Sequence, residues 1–275
     1  MSEGRDAALL DRLAEIAGGA LLDAHRDPDH NRAVLTLGST DGAALEAAVR
    51  HLVEAAVSAM DIRHHRGVHP RFGVVDVVPF VPVDAAGTPA RTGDDLTRAV
   101  AARDRLAAWA GTTLGLPCFV YGPERSLPDV RRHAFAGLAP DTGPAGPHPT
   151  AGACAVGARP ALLAYNVWLA TGDVSVARSI AAAVRRPAVR ALGLDVGGHA
   201  QVSCNLLDPA AVGPATVLEQ VTALAGEAGV AVARAELVGL APLAVVEALD
   251  PATRDRCDLD TDRTFEARLG RLRRR

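Results

Sequence analysis

The residue types that could do chemistry in this chain are concentrated between positions 63 and 76. Three histidines and three arginines stand there: Arg63, His64, His65, Arg66, His69 and Arg71. An imidazole changes charge near neutral pH, as proton transfer requires, and a guanidinium presents a planar pair of donors to a carboxylate. Pro70 restricts His69 to extended backbone, and Gly67 and Gly73 allow sharp bends. From residue types alone, an acid–base site for an anionic substrate and a solvated polar turn are both open.

A metal site in this segment is the alternative that the residues support least. His65 and His69 are four positions apart, a spacing that suits two ligands on a helix, but Gly67 and Pro70 disfavour a helix here. No carboxylate cluster accompanies them, and no metal-ligand spacing is found among the cysteines, which are Cys118, Cys154, Cys204 and Cys257. We therefore expect no metal, and we expect ordinary thiols of a reducing compartment.

Asp76 and two further polar segments also stand out. Asp76 lies inside an apolar run, residues 74–83, where a carboxylate needs a partner. It either orients a catalytic histidine or forms a structural ion pair with an arginine. Residues 27–32 are typical of an Asx turn between two strands, and residues 143–152 of an irregular connection between domains. The glycine spacing in the latter fits neither a dinucleotide-binding fingerprint nor a P-loop.

The surrounding pattern predicts alternating helices and strands. In the first half we predict helices at 6–16, 41–60 and 94–111, strands at 20–24, 33–37, 74–83 and 117–121, and an irregular stretch over 122–158. In the second half we predict strands at 161–166, 189–196, 200–206 and 230–237, with helices at 174–185 and 210–228. This second half has the βαββαβ order of ferredoxin-like folds, and the first half resembles that order without its opening strand. The predicted fold is α/β (α+β), with two tandem ferredoxin-like subdomains at residues 1–157 and 158–275.

Composition argues against several classes of function. The chain has 275 residues, of which 49% are hydrophobic, enough for one large core or two modest ones. Its formal net charge is −3 and 22% of its residues are charged, which gives no reason to expect nucleic-acid or membrane binding. The N-terminal residues are polar, and no apolar run is long enough to cross a bilayer, so we expect a cytoplasmic protein.

Several motifs, in the same order along the chain, resemble the formimidoyltransferase (formiminotransferase) domain family. The longest is His65 to Val83, HRGVHPRFGVVDVVPFVPV, which is similar to the family's HKGxHPRxGxxDVxPFxPV. Shorter matches lie at Asn31-Arg32, Tyr121-Gly122, 157–159, 164–166, 201–208 and 237–243. The resemblance covers nearly the whole chain.

The resemblance implies both a fold and an activity. The family folds as two α/β subdomains whose sheets face each other, with folate in a tunnel between them. It transfers a formimidoyl group from N-formimidoyl-L-glutamate to N5 of tetrahydrofolate in histidine degradation and one-carbon metabolism, so tetrahydrofolate is the expected co-substrate. The family's catalytic histidine falls on His69. Its folate-binding loop falls on Gly143, Pro144, Ala145, Gly146, Pro147, His148, Pro149, Thr150, Ala151 and Gly152.

Charged and amide side chains near these motifs complete the expected substrate site. Both substrates are anionic, so arginines are candidates for their carboxylates, and we expect the binding set to include Arg71, Asp76, Asn31, Arg32 and Arg159. Two alternatives stay open: the same fold acting on a formyl group or a different amino acid, and a non-catalytic folate-binding paralogue. The retained His69 motif argues against the paralogue, because a pure binder needs no proton carrier. Whether the chain acts as a homodimer also stays open.

One departure from the family concerns the first strand. The family opens with a Val-Pro-Asn-Phe-like strand before Ser-Glu-Gly-Arg, whereas here Met1 directly precedes Ser2. We therefore expect the native gene product to begin upstream of Met1. We also expect a shortened or vacant first-strand position, with 20–24 and 74–78 as its neighbours.

Overall fold

The computed structural model describes residues 1–68, 71–84, 88–89 and 94–274, apart from the side chains at 94 and 95. The chain divides into two compact units, Met1–Ala85 with Pro89–Pro160, and the residues from Ala161 onward. Each unit combines helices with sheet, which confirms the predicted α/β class with two subdomains. Among the described residues, no helix has both the length and the apolar character needed to cross a membrane.

The first unit contains an antiparallel hairpin and a three-stranded parallel sheet. Its elements are α1 (Ala7–Ala17), β1 (Leu21–Asp27), β2 (Arg32–Leu37), α2 (Gly42–Ala59), β3 (Val77–Phe80), α3 (Asp94–Thr113), β4 (Cys118–Tyr121), α4 (Leu127–His133) and β5 (Cys154–Ala158). Strands β1 and β2 form the hairpin, and the parallel sheet has the order β3-β5-β4. A helix lies between each pair of successive strands in that sheet, and such crossovers allow parallel pairing.

Helices α1, α2 and α3 form the core of the first unit with the residues next to its sheet. Leu13 of α1, Leu52 of α2 and Leu106 of α3 are buried in one apolar cluster. That cluster also contains Val74, just before β3, and Val156 of β5. The chain segment that follows the histidine-rich loop therefore lies against a packed core, which restricts its position.

The second unit has the ferredoxin-like arrangement. Its elements are β6 (Leu163–Leu169), α5 (Val174–Val184), β7 (Val189–Val196), β8 (His199–Leu206), α6 (Pro214–Glu227), β9 (Val232–Val238), α7 (Leu243–Glu247), α8 (Pro251–Arg256) and α9 (Phe265–Leu272). The four strands form one antiparallel sheet in the order β7-β8-β6-β9. Alternate strand residues, such as Tyr165 and Val202, pack with Ile180 of α5 and Val221 of α6. The βαββαβ order predicted for this half is confirmed.

The first unit departs from the prediction in three places. Its sheet is parallel and three-stranded with a separate hairpin, not a ferredoxin-like sheet lacking one strand. The predicted strand at 74–83 is confined to Val77–Phe80, with Pro79 tolerated because β3 is an edge strand. Strand β5 was predicted to be irregular but is central and fully buried. Its small residues carry little strand signal, yet Gly157 is needed because a Cβ there would overlap the Tyr121 ring.

The first two residues take part in the fold of this unit. The Met1 ammonium donates to Ala33 O at 2.7 Å, and Ala33 N donates to Met1 O at 3.0 Å. Ser2 N donates to Val74 O at 2.8 Å, and burial lowers the pKa of the Met1 amino group to about 6. Residues 1–2 thus lie between β2 and the segment before β3. The expectation that 20–24 borders this position is wrong, because β2 is the nearer strand of the hairpin.

Candidate functional site

His69 and Pro70 lie outside the described residues, so the site is built from the segments on either side of them. The segment after them, residues 71–76, is held by hydrogen bonds to the glycine-containing loop 143–152 and the residue next to it. Val74 N donates to Ala151 O at 2.9 Å, and Ala153 N donates to Phe72 O at 2.9 Å. The structure therefore brings together two segments that are far apart in sequence, the predicted acid–base segment and the predicted folate loop.

Two glycines permit this close backbone approach. A Cβ at Gly73 would overlap Ala153 O, and a Cβ at Gly152 would overlap Phe72 O. Gly152 also has a φ of +72°, in the left-handed region that glycine adopts without strain. The pairing of these segments thus requires glycine at both positions.

The glycine-containing loop is anchored at its C-terminal end and exposed over its N-terminal half. At its C-terminal end His148 N donates to Gly152 O at 2.8 Å, and Gly152 N donates to His148 O at 3.0 Å. The Nδ1 atom of His148 accepts from Ala151 N at 3.0 Å. Exposed backbone and side chains run from Gly143 to Pro147. The loop lies within the first unit, so the interpretation as a connection between domains is wrong.

Asp76 is paired with an arginine that sequence reasoning missed. Its Oδ1 accepts from Phe72 N at 2.9 Å, and Arg131 of α4 contacts both carboxylate oxygens. The Arg131 guanidinium also lies over the Phe72 ring, with Cζ 5.6 Å from the centroid. Asp76 and Arg131 are 55 positions apart, and no local pattern predicts a contact over that separation. Of the two roles left open for Asp76, the structure contains the ion pair.

Asn31 joins the turn 27–32 to the histidine-rich segment and to the N-terminus. Its φ is +51°, a conformation that asparagine tolerates better than most residues. Its Oδ1 accepts from Gly4 N at 2.9 Å, and its Nδ2 donates to Arg66 O at 2.9 Å. The same Nδ2 lies 3.3 Å from Nδ1 of His65. Asn31 therefore connects the turn 27–32 to the N-terminal residues and to the residues that precede His69.

Arg71 is engaged with the same turn. Its Nη1 donates to Asn31 O at 2.6 Å and its Nη2 donates to His30 O at 2.8 Å. Burial lowers the pKa of Arg71 from its ordinary value, while the nearby Asp76 acts in the opposite direction. Two of its nitrogens are thus bonded to backbone carbonyls of the turn.

The remaining predicted arginines lie in the same electrostatic neighbourhood. Arg32, on β2, influences the pKa of Arg71, as does Arg131. Arg159 follows β5, where its Nη1 donates to Pro160 O at 2.9 Å, and it lies near the Tyr121 hydroxyl. Burial raises the pKa of Tyr121, while Arg159 and Arg131 partly oppose that rise. Arg32 and Arg131 thus lie near Arg71, and Arg131 and Arg159 lie near Tyr121, so several positive charges are close together in the first unit.

His30 and His65 both lie close to Arg71 and are at least partly shielded from solvent. The His30 side chain is fully buried, and its Nδ1 contacts the Asp27 carboxylate. Burial acts to raise the pKa of Asp27, but the hydrogen bonds from His30 outweigh it and the pKa is lowered. Burial also lowers the pKa of His65, helped by the charge of Arg71, so the neutral imidazole is favoured. Within the described residues, no group of three or more His, Cys, Asp or Glu could hold a metal ion.

Comparison with known families and proteins gives consistent matches along the chain. The family model described as "Formiminotransferase domain, N-terminal subdomain" matches residues 1–159, and the model described as "Formiminotransferase domain" matches residues 164–253. The glutamate formimidoyltransferase of Streptococcus pyogenes serotype M1 is 36% identical over 267 residues, covering 88% of this chain and 86% of that protein. The glutamate formimidoyltransferase of Thermoplasma acidophilum is 33% identical over 271 residues, with the same coverage of 88% and 86%.

A longer protein also matches. The formimidoyltransferase-cyclodeaminase of Sus scrofa is 34% identical over 275 residues, covering 88% of this chain but 49% of its own length. This chain therefore spans about half the length of that relative.

Proposed function

The chain belongs to the formiminotransferase domain family, and on that basis we propose that it transfers a formimidoyl group from N-formimidoyl-L-glutamate to N5 of tetrahydrofolate. The products are 5-formimidoyltetrahydrofolate and glutamate. The enzyme is a one-carbon group transferase of histidine degradation. Folate is the family's substrate, and we assign tetrahydrofolate as the specific form and expect no metal to take part.

One observation carries the proposal at the level of this chain. Backbone hydrogen bonds join the loop ending at Gly152 to the segment that directly follows His69. The C-terminal part of the loop lies beside the acid–base segment on both sides of His69, because Ile62 N also donates to Thr150 O at 2.8 Å. Residues 143–147 of the same loop are exposed and accessible to a ligand. We infer that this loop binds folate and that His69 acts on the bound substrates.

The proposed reaction needs proton movement between two amines. N5 of tetrahydrofolate attacks the amidine carbon, and a C–N bond forms to give a tetrahedral intermediate. The C–N bond to the glutamate nitrogen then breaks, N5 loses a proton, and the departing amine gains one. A group that titrates near neutral pH serves both transfers. We assign this general acid–base role to His69.

The charges around the site suit the substrates. N-formimidoyl-glutamate and the folate tail both carry carboxylates, and Arg32 and Arg159 contribute positive charge near Arg71 and Tyr121. Arg71 also supports the turn 27–32, because two of its nitrogens bond to the carbonyls of His30 and Asn31. We infer that Asn31 and Asp76 support the site through the contacts they make with the chain around His69.

The organisation and location of the protein form part of the same proposal. We place the subdomain boundary near residues 157–160, at the end of β5, where the first compact unit also ends. The four cysteines are free and buried, which fits a reducing compartment such as the cytoplasm.

Replacement of the proposed acid–base residue tests the function. His69→Ala should lower kcat about 10²–10⁴-fold while folate affinity stays nearly unchanged. His64→Ala is the matched control, because His64 lies in the same segment with its side chain 83% exposed. The assay follows glutamate and formimidoyl-folate together, which should appear in equal amounts. A fully active His69→Ala enzyme would refute the role of His69, and a wild-type protein without transfer would refute the function.

A further inference from the structure

An ion pair in the first unit connects the short helix α4 to the segment after His69. Arg131 Nη1 lies 3.4 Å from Asp76 Oδ1, and Arg131 Nη2 contacts Asp76 Oδ2. The side chains are only 22% and 15% exposed, so the pair is shielded from most of the solvent. A two-point contact between a planar guanidinium and a carboxylate fixes orientation as well as distance.

The same carboxylate also holds the backbone of Phe72. Asp76 Oδ1 accepts from Phe72 N at 2.9 Å, and Phe72 O accepts from Ala153 N at 2.9 Å. The hydrogen-bonding groups of the Phe72 backbone are therefore both engaged. Since Phe72 comes three residues after His69, these bonds restrict the path of the chain that leaves the proposed acid–base residue.

The Phe72 ring is held by two further contacts. The Arg131 guanidinium lies over the ring, 5.6 Å from Cζ to the centroid. The Phe119 ring of β4 meets it edge-on, with centroids 6.0 Å apart. Arg131 thus acts on Phe72 in two ways, through the charge of Asp76 and through the face of the ring.

We propose that Arg131, acting through Asp76 and Phe72, is a positioning residue for the transfer reaction. It keeps the segment after His69 in the conformation that catalysis requires. The proposal rests on the function proposed above. General acid–base catalysis requires the catalytic group to lie within hydrogen-bonding distance of the substrate, and a misplacement of about 1 Å can cost about 10²-fold in rate.

A second ion pair in the same unit provides a matched control. Arg125 Nη2 lies 2.8 Å from Asp141 Oδ1, and the side chains are 27% and 25% exposed. Asp141 Oδ2 accepts from a backbone N–H as well, that of Val120 at 2.8 Å. The chemistry and exposure of the two pairs are therefore similar. The Arg125–Asp141 pair, however, holds β4 and not the segment after His69.

The experiment compares Arg131→Gln with Arg125→Gln in the full-length enzyme, well below the melting temperature of either. Arg131→Gln should lower kcat about 10–100-fold, with the Kd for tetrahydrofolate changed less than about threefold. Arg125→Gln should lower the melting temperature by a similar amount and leave kcat within about twofold. Hydrogen exchange should become faster for the peptide containing Phe72 in Arg131→Gln only.

A conservative variant separates positioning from folding. Arg131→Lys keeps the charge beside Asp76 but loses the planar two-point contact. It should therefore fold even where Arg131→Gln does not, and its kcat should lie between those of Arg131→Gln and the wild type. Equal kcat values for Arg131→Lys, Arg125→Gln and the wild type would overturn the positioning role. A wild type that performs no transfer would instead point to failure of the proposed function.

Discussion

Replacement of Gly152 by alanine should destabilise the first unit, because the backbone there has no room for a side chain. Gly152 is buried, its φ is +72°, and a Cβ would overlap Phe72 O. The left-handed conformation costs a residue with a Cβ about 1–2 kcal/mol. Relief of the overlap breaks one of the hydrogen bonds beside it, Val74 N to Ala151 O or Ala153 N to Phe72 O, at about 1–3 kcal/mol.

The total cost of Gly152→Ala is therefore about 2–5 kcal/mol in the free energy of unfolding. For a unit of this size, 3 kcal/mol corresponds to a fall of about 6–12 °C in melting temperature. Gly146→Ala is the control, because Gly146 has open space around its Cβ position and should change stability by less than about 0.5 kcal/mol. Both variants can be melted side by side by circular dichroism. If the melting temperature of Gly152→Ala equalled those of Gly146→Ala and the wild type, the steric argument would be refuted.

Three further outcomes are expected. Gly146→Leu should raise the Kd for tetrahydrofolate about tenfold or more in a titration, while the melting temperature stays constant. The reason is that the new side chain enters open space on the proposed folate loop. An unchanged Kd would show that this loop does not bind folate. Hydrogen bonds from Arg103 hold the pKa of Glu124 at about 2, below its ordinary 4.5. The stabilisation of the folded state by this ion pair is therefore fully present above the ordinary pKa of 4.5 and is lost as the pH falls toward 2. Arg103→Gln should therefore lower stability at neutral pH and flatten the acid-unfolding curve between about pH 5 and pH 2, and an identical curve would contradict the assignment. In a panel of formimidoyl- and formyl-amino acids, N-formimidoyl-glutamate should have the highest kcat/KM, and a better donor would replace it as the substrate.

Local sequence signals predicted much of the fold. Helix α2 is predicted at 41–60 and lies at Gly42–Ala59, because Asp41 caps it and apolar residues recur at helical spacing. The second unit follows its predicted order, since β6 to β9 and their helices are built from clear apolar runs separated by turns. The candidate site is also partly visible in the sequence. Asn31, Arg71 and Asp76 are linked in the structure through the turn 27–32 and the segment after His69.

The sequence by itself determined the chemistry available to this protein: histidine and arginine beside a proline, and glycines where backbones meet. The tertiary structure decided how those residues are held. Strand β5 is central, although its small residues carry little strand propensity, and at Gly157 a Cβ would overlap the Tyr121 ring. Arg131 joins Asp76 across 55 positions, and the glycine-containing loop joins the segment after His69. Such contacts depend on the three-dimensional path of the chain, which local residue preferences do not encode.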